Sequence, residues 1–189
     1  VVIIPIFKGD AERAAVLEKA AALRNAFQGS GVTVRLDDRD NVSPGWKFNE
    51  YEFKGVPVRI AIGPRDLENG TAEVARRDTK EKSSMQITDL TLKVEHLLEQ
   101  IQDNLYRKAL TQQEERTYRV DSWEEFETKL DAGGFLYAHW DGTPETEQAI
   151  KDKTKATIRC IPLNNKTEEG KCILTGKPSK QRVLFARAY

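Results

Sequence analysis

The 189-residue sequence is poor in the residues that most often carry chemistry: two cysteines, two histidines and one methionine. Cys160 and Cys172 are too few for a disulfide scaffold, so a reducing, cytoplasmic setting is the simpler expectation. His96 and His139 leave few routes to a metal centre or a histidine-based active site. His96 is expected to face solvent on a helix, and His139 to be a structural residue of a strand. Net charge is absent too, with 30 Lys and Arg against 30 Asp and Glu. That balance excludes an all-over basic coat and confines any nucleic-acid site to a local patch. No apolar run approaches the roughly 18 residues of a membrane span. The chain opens Val1-Val2-Ile3-Ile4-Pro5-Ile6-Phe7, without the basic start of a signal peptide, and reads as a core strand cut from a longer chain. A phosphate loop, a G-x-G-x-x-G turn, an H-E-x-x-H helix and a G-x-S-x-G elbow are all missing. No pair of carboxylates stands out by spacing as an acid and base. Residue by residue, this is a binding domain rather than a self-sufficient enzyme.

What is present alternates between strand and helix. Val1–Phe7 reads as a strand buried on both faces. Asp10 is placed to cap a helix from Ala11 to about Gln28, which Gly29-Ser30-Gly31 stops. A strand over 32–36 follows, then a short helix opened by Ser43-Pro44-Gly45, then a strand over 56–63. That alternation predicts a mainly parallel α/β sheet. Asn69-Gly70 signals a hairpin, with more exposed strands at 71–78 and 85–88 and a polar, mobile stretch at Lys80–Ser84 between them. Leu90, Val94, Leu97, Ile101 and Leu105 form one apolar stripe on a helix capped by Asp89 and reaching about Thr117. This bridge closes a first domain of residues 1–117; residues 118–189 form a second. There, Ser122 with Glu125 and Thr143 with Pro144 open helices, and strands are expected at 135–140, 156–163, 171–174 and 182–186. This is a small α+β layer.

Residues 43–69 are the informative segment, because aromatic and basic side chains alternate there. Rings and guanidinium planes stack on bases, and cations meet phosphates, so the mixture suits single-stranded nucleic acid. For Trp46 and Phe53 the preferred reading is instead the buried face of an amphipathic helix; for Phe48 the two readings are even. The string Gly45-Trp46-Lys47-Phe48-Asn49-Glu50-Tyr51-Glu52-Phe53-Lys54-Gly55-Val56-Pro57-Val58-Arg59, continuing through Gly63-Pro64-Arg65-Asp66 to Asn69-Gly70, resembles the anticodon-binding domain of prolyl-tRNA synthetases of the archaeal/eukaryote-like form. The segment from Thr157 through Gly176-Lys177-Pro178 to Tyr189 resembles the C-terminal domain of the same family. The resemblance covers essentially the whole chain.

It implies a class II synthetase-type anticodon-binding domain, a mixed sheet flanked by helices, followed by the small α+β domain. It implies proline tRNA as partner, with no DNA and no membrane. Proline anticodons present two guanines, each offering N1–H and N2–H donors and an O6 acceptor. A carboxylate beside a cation is the complement. By similarity Glu52 accepts from one guanine while Lys80 donates to its O6, with Lys82 as the alternative register. Asp66 accepts from the other, with Arg65 beside it; Arg59 stacks on a base and Phe48 lines the site. The intact family uses ATP and magnesium on a catalytic domain absent here, so this chain alone is expected to be inactive and to hold no cofactor. The intact family is a homodimer, and a monomer is expected of this part. Tyr189 is expected near the active site of the intact enzyme. Zinc-binding members carry four cysteines; here the corresponding positions are Trp140, Glu145, Cys172 and Thr175, so no zinc is expected, with packing by Trp140 in its place. The alternative is a non-catalytic relative serving as a tRNA sensor or protein-interaction module.

Overall fold

Val2, Ile3 and Ile4 have no accessible surface, as a strand covered on both faces requires. They belong to β1 (Val2–Pro5), which pairs in parallel with β2 (Arg35–Leu36) on one side and β3 (Val58–Ile62) on the other. The computed structural model describes residues 1–188, and the expectation for Tyr189 lies outside them. The chain divides into two compact units, Val1–Tyr106 and Arg107–Tyr189. The division falls within a helix, eleven residues before the expected end of the first domain.

In the first unit the sheet order is β2-β1-β3-β4-β5. Strands β4 (Thr71–Arg76) and β5 (Lys82–Gln86) are antiparallel, so the sheet is mixed rather than mainly parallel. Helix α1 (Asp10–Ala26) joins β1 to β2, α2 (Pro44–Phe53) joins β2 to β3, and α3 (Pro64–Asn69) joins β3 to β4. Helix α4 (Leu90–Glu115) follows β5. Val58, Ile60 and Ile62 of β3, Ile3 of β1, and Ala72 and Val74 of β4 pack against Ala20 and Leu23 of α1 and Leu90, Val94, Leu97 and Ile101 of α4. This core lies on one face of the sheet. On the other face Val2 and Ile4 meet Tyr51, Phe48 and Val56.

Several expectations are corrected. Gly9, not Asp10, caps α1, because the cap position is extended there (φ −157°, ψ 172°) and Asp10 is already helical. Only Arg35–Leu36 of the expected strand 32–36 pairs. Gly70 adopts the left-handed conformation (φ 65°) as the stop of α3, so the Asn-Gly signal marks a helix end rather than a hairpin. Lys82–Ser84 of the expected mobile stretch is paired in β5, an edge strand whose polar side chains suit its exposure. Leu105 is 48% exposed, so the apolar stripe ends at Ile101.

The second unit has sheet order β6-β7-β11-β8, with β6 (Thr117–Arg119) an unexpected strand parallel to β7 (Phe135–His139). Strands β8 (Ala156–Cys160) and β11 (Arg182–Arg187) complete it, and β9 (Gly170–Lys171) and β10 (Pro178–Ser179) form a separate two-stranded ribbon. Helices α5 (Trp123–Ala132) and α6 (Pro144–Thr154) start where expected: the Ser122 side chain accepts from Glu125 N and that of Thr143 from Thr146 N. The core gathers Phe126, Leu130, Leu136, Ile150, Val183 and Phe185. His139 is buried and its Nδ1 lies 3.1 Å from Ser179 Oγ, a structural contact. His96 is exposed on α4. Among the described residues no helix is long and apolar enough to cross a membrane.

Helix α2 is tied to the sheet by a buried charge. Lys47 is 3% exposed; its Nζ donates to Asp37 O (3.0 Å) and to Arg39 O, 3.7 Å from the Asp37 carboxylate. Arg39 donates to both Asp37 oxygens at 2.8 and 2.6 Å and to Glu50 of α2. Hydrogen bonds from Arg39 hold the Asp37 carboxyl far below the ordinary carboxylate range; burial opposes them and the Lys47 charge assists. A carboxyl whose pKa is lowered on folding stabilises the fold above its unfolded pKa of about 4 and loses that contribution as pH falls. In denaturant unfolding between pH 6 and 2.5, the stability advantage of the wild type over Asp37→Asn is expected to narrow as pH drops below about 4.

Candidate nucleic-acid interface

Period-two alternation puts Arg59 and Ala61 of β3 on the face opposite the core. Beside them in register stand Ala75 and Glu73 of β4, then Lys82 and Ser84 of β5. Helix α2 packs over β1, so the antiparallel half of this face is left with short and polar side chains. A cleft opens where α2 meets it, lined by Phe48, Glu52, Arg59, Arg77, Lys80 and Lys82 among others.

The Arg59 guanidinium lies over the Phe48 ring, 3.5 Å from its centroid. Its side chain is 13% exposed, and Nη1 is buried without a hydrogen-bond partner. Burial lowers the Arg59 pKa from its ordinary value, partly offset by Glu73 3.6 Å away. A stacked, half-desolvated guanidinium with a spare donor is prepared for an acceptor or a π-face. Glu52, in the last turn of α2, forms an ion pair with Lys80. Both stay well exposed, at 45% and 66% of the side chain, so the pair can be exchanged for a ligand. Lys82 instead lies 3.6 Å from Glu73.

The structure therefore gathers Phe48, Glu52, Arg59 and Lys80, but not all the expected residues. Asp66 and Arg65 lie on α3, past the other end of β3, and do not line the cleft. Gly63 lies four positions after Arg59, about 13 Å along the strand at about 3.3 Å per residue. Asp66 Oδ2 accepts from Gly63 N at 2.8 Å and would lie 3.5 Å from a Cβ placed on that glycine. Arg65 is exposed. Glu52 thus precedes β3 in the chain, and Asp66 follows it on α3.

Two expectations about α2 are overturned. Trp46 is 50% exposed and Phe53 93% exposed, so neither is core. The buried face carries Lys47 and Tyr51 instead, because the Lys47 ammonium finds backbone carbonyls and a carboxylate inside. Trp46 is covered from one side by the Arg39 guanidinium, 5.3 Å from its ring. Glu73 was not anticipated: it stands between Arg59 and Lys82, and only the strand register reveals it.

In the second unit the four positions that the resemblance sets against zinc ligands make other contacts. Trp140 donates its indole Nε1 to Thr143 O at 3.1 Å and offers no lone pair; Glu145 is exposed; Cys172 is a buried thiol. Thr175 donates to Asp141 Oδ2 at 2.9 Å. Among the described residues no group of three or more His, Cys, Asp or Glu is placed to hold an ion. A structural zinc site takes four thiolate, imidazole or carboxylate ligands. One carboxylate serves as hub instead. Asp141 accepts from Thr143 N (3.2 Å) and Oγ1 (2.8 Å), from Thr146 Oγ1 (2.9 Å) and from Thr175 Oγ1. Burial opposes its ionisation, but these hydrogen bonds outweigh it and hold the carboxyl below its ordinary pKa.

The cleft joins a stacked cation and paired charges to an open, polar sheet face. Residues 1–102 match the family model described as anticodon binding domain, and the chain belongs to that family. Residues 123–189 match the model described as prolyl-tRNA synthetase, C-terminal. Over 189 residues the chain is 55% identical to the proline–tRNA ligase of Porphyromonas gingivalis and 53% identical to that of Parabacteroides distasonis. Over 191 residues it is 54% identical to that of Cytophaga hutchinsonii. All of this chain is covered in each case, but it spans only 38 to 39% of these relatives' length.

Asp141→Ala is expected to cost about 1–3 kcal/mol in unfolding of the second unit, because several donors lose one acceptor. A chelator is expected to leave the wild-type unfolding midpoint unchanged. A zinc content of one per chain by elemental analysis would contradict the hub.

Proposed function

We propose that this chain is the anticodon-reading and C-terminal part of a proline–tRNA ligase, and that its cleft reads guanine. The observation that carries this is the Glu52–Lys80 pair beside the Phe48–Arg59 stack. A guanine entering there gives its N1–H and N2–H to the Glu52 carboxylate and takes a hydrogen bond at O6 from Lys80, so each charge exchanges its partner for a complementary one. Arg59, already flat on Phe48, offers its outer face to a base. The second guanine is assigned to Asp66, whose Oδ2 is held by Gly63 N. Glu52 stands before β3 and Asp66 beyond its end, so the two guanines are read splayed apart rather than stacked.

The remaining part of the enzyme, corresponding to the length this chain lacks against its relatives, supplies ATP and magnesium chemistry and joins proline to the tRNA. In this reading the intact protein is a cytoplasmic homodimer, the chain alone does not activate proline, and its second unit holds no zinc. The donor set around Asp141 supports the last point.

The test is a titration of proline tRNA at one fixed salt concentration, because phosphate contacts alone move affinity by orders of magnitude. Replacing either anticodon guanine is expected to weaken binding, and Glu52→Ala or Asp66→Ala to weaken it by about 1–3 kcal/mol each while eroding the preference for guanine. Equal binding of all the tRNAs would mean attraction to the backbone only and would remove the assignment.

A further inference from the structure

Among the described residues Lys80 is one of two non-glycine residues in the left-handed region, at φ 65°. A side chain there is disfavoured, so something must hold the turn between β4 and β5 in that shape. The holder is visible. Asp78, whose side chain is 2% exposed, accepts from Arg76 Nε at 2.9 Å and Nη2 at 2.7 Å. Its Oδ2 also accepts from Asn104 Nδ2 of α4 at 2.7 Å. The turn closes with Arg76 N donating to Glu81 O at 3.0 Å and Thr79 Oγ1 donating to Glu81 Oε2 at 2.9 Å. Arg76 is the main cause that keeps the Asp78 carboxyl down at about 2, so it stays ionised at neutral pH.

We propose that Asp78 is a positioning residue for base reading: clamped by Arg76 and Asn104, it fixes the turn so that the Lys80 ammonium stands opposite Glu52. The proposal rests on the guanine reading of the cleft and names a residue that touches no base. The clamp is not needed to bury the hairpin. The core contacts of β4 come from Ala72 and Val74, nearer the start of the strand, while β5 is largely exposed. What the clamp decides is the direction of Lys80. Without it, the turn is free to leave the left-handed geometry, and the lysine swings into solvent. Glu52 then keeps its role as acceptor, but O6 loses its donor. The expected signature is a selective one: the contact to O6 weakens, while the contacts to N1–H and N2–H remain.

The probe is proline tRNA carrying 6-thioguanosine in place of each anticodon guanosine in turn. Sulfur at position 6 weakens the acceptor and leaves both donors in place. For the wild-type chain the substitution read by Lys80 is expected to raise Kd roughly tenfold, the size of one hydrogen bond to a charged group. Lys80→Met is expected to bring the ratio of the two Kd values near one. Asp78→Asn is expected to do the same, and Asn104→Ala, which leaves the Arg76–Asp78 pair intact, to lower the ratio part of the way. If Lys80→Met keeps the wild-type ratio, the guanine reading itself fails. If Lys80→Met collapses the ratio while Asp78→Asn and Asn104→Ala keep it, the positioning role is overturned, even where both weaken binding to the two tRNAs equally. Should Asp78→Asn not fold, the ratio for Asn104→Ala decides alone.

Discussion

The interface depends on a lysine that points inward. Lys47 spends almost its whole side chain away from water, and an ammonium in such a place is tolerated only with full satisfaction. Two carbonyls of the segment after β2 and the Asp37 carboxylate provide it. That one anchor fixes the rotation of α2 about its axis. Once Lys47 and Tyr51 face the sheet, Phe48 and Glu52 turn toward β3 and the hairpin beyond it, and Trp46 and Phe53 turn outward. Arg39 extends the lock by joining Asp37 to Glu50 on the helix. Removing one partner would leave a buried charge without compensation, which is why the helix has one seating rather than several.

The same lysine explains one failure of sequence reading, the seating of α2, while local signals at several helix starts were read correctly. Helix starts were legible, because Ser43, Ser122 and Thr143 each use a side-chain oxygen on a nearby backbone N–H, a local interaction. Core strands with continuous apolar runs were legible for the same reason that they are buried. The rotation of α2 was not legible, because the rule that lysine faces water gave the inner face to Trp46 and Phe53. Asn69-Gly70 misled because a left-handed glycine ends a helix as readily as it turns a hairpin. β6 escaped notice because three residues in a parallel pair with β7 depend on a distant partner, not on local pattern.

Of the site, Phe48, Glu52, Arg59 and Lys80 were readable as residue types in a motif, and the fold places them on one cleft. Their supports were not readable. Glu73 becomes meaningful only through the register of β4 against β3 and β5, and Asp78 only through a side chain on α4. Such residues lie far apart in sequence or look like ordinary solvated charges. The second unit shows a parallel lesson: Asp141 looks like a loop aspartate, yet it binds the end of β7, the start of α6 and the turn containing Thr175.

The hairpin between β4 and β5 turns over very few residues, and its side chains alternate in charge: Asp78, Lys80, Glu81, Lys82. Strand pairing reverses the facing of every side chain when a register slips by one. With Ala75 paired to Lys82, the residues between Arg76 and Lys82 set where Lys80 falls beside Glu52. The length of this turn, as much as its composition, therefore sets which charge meets Glu52.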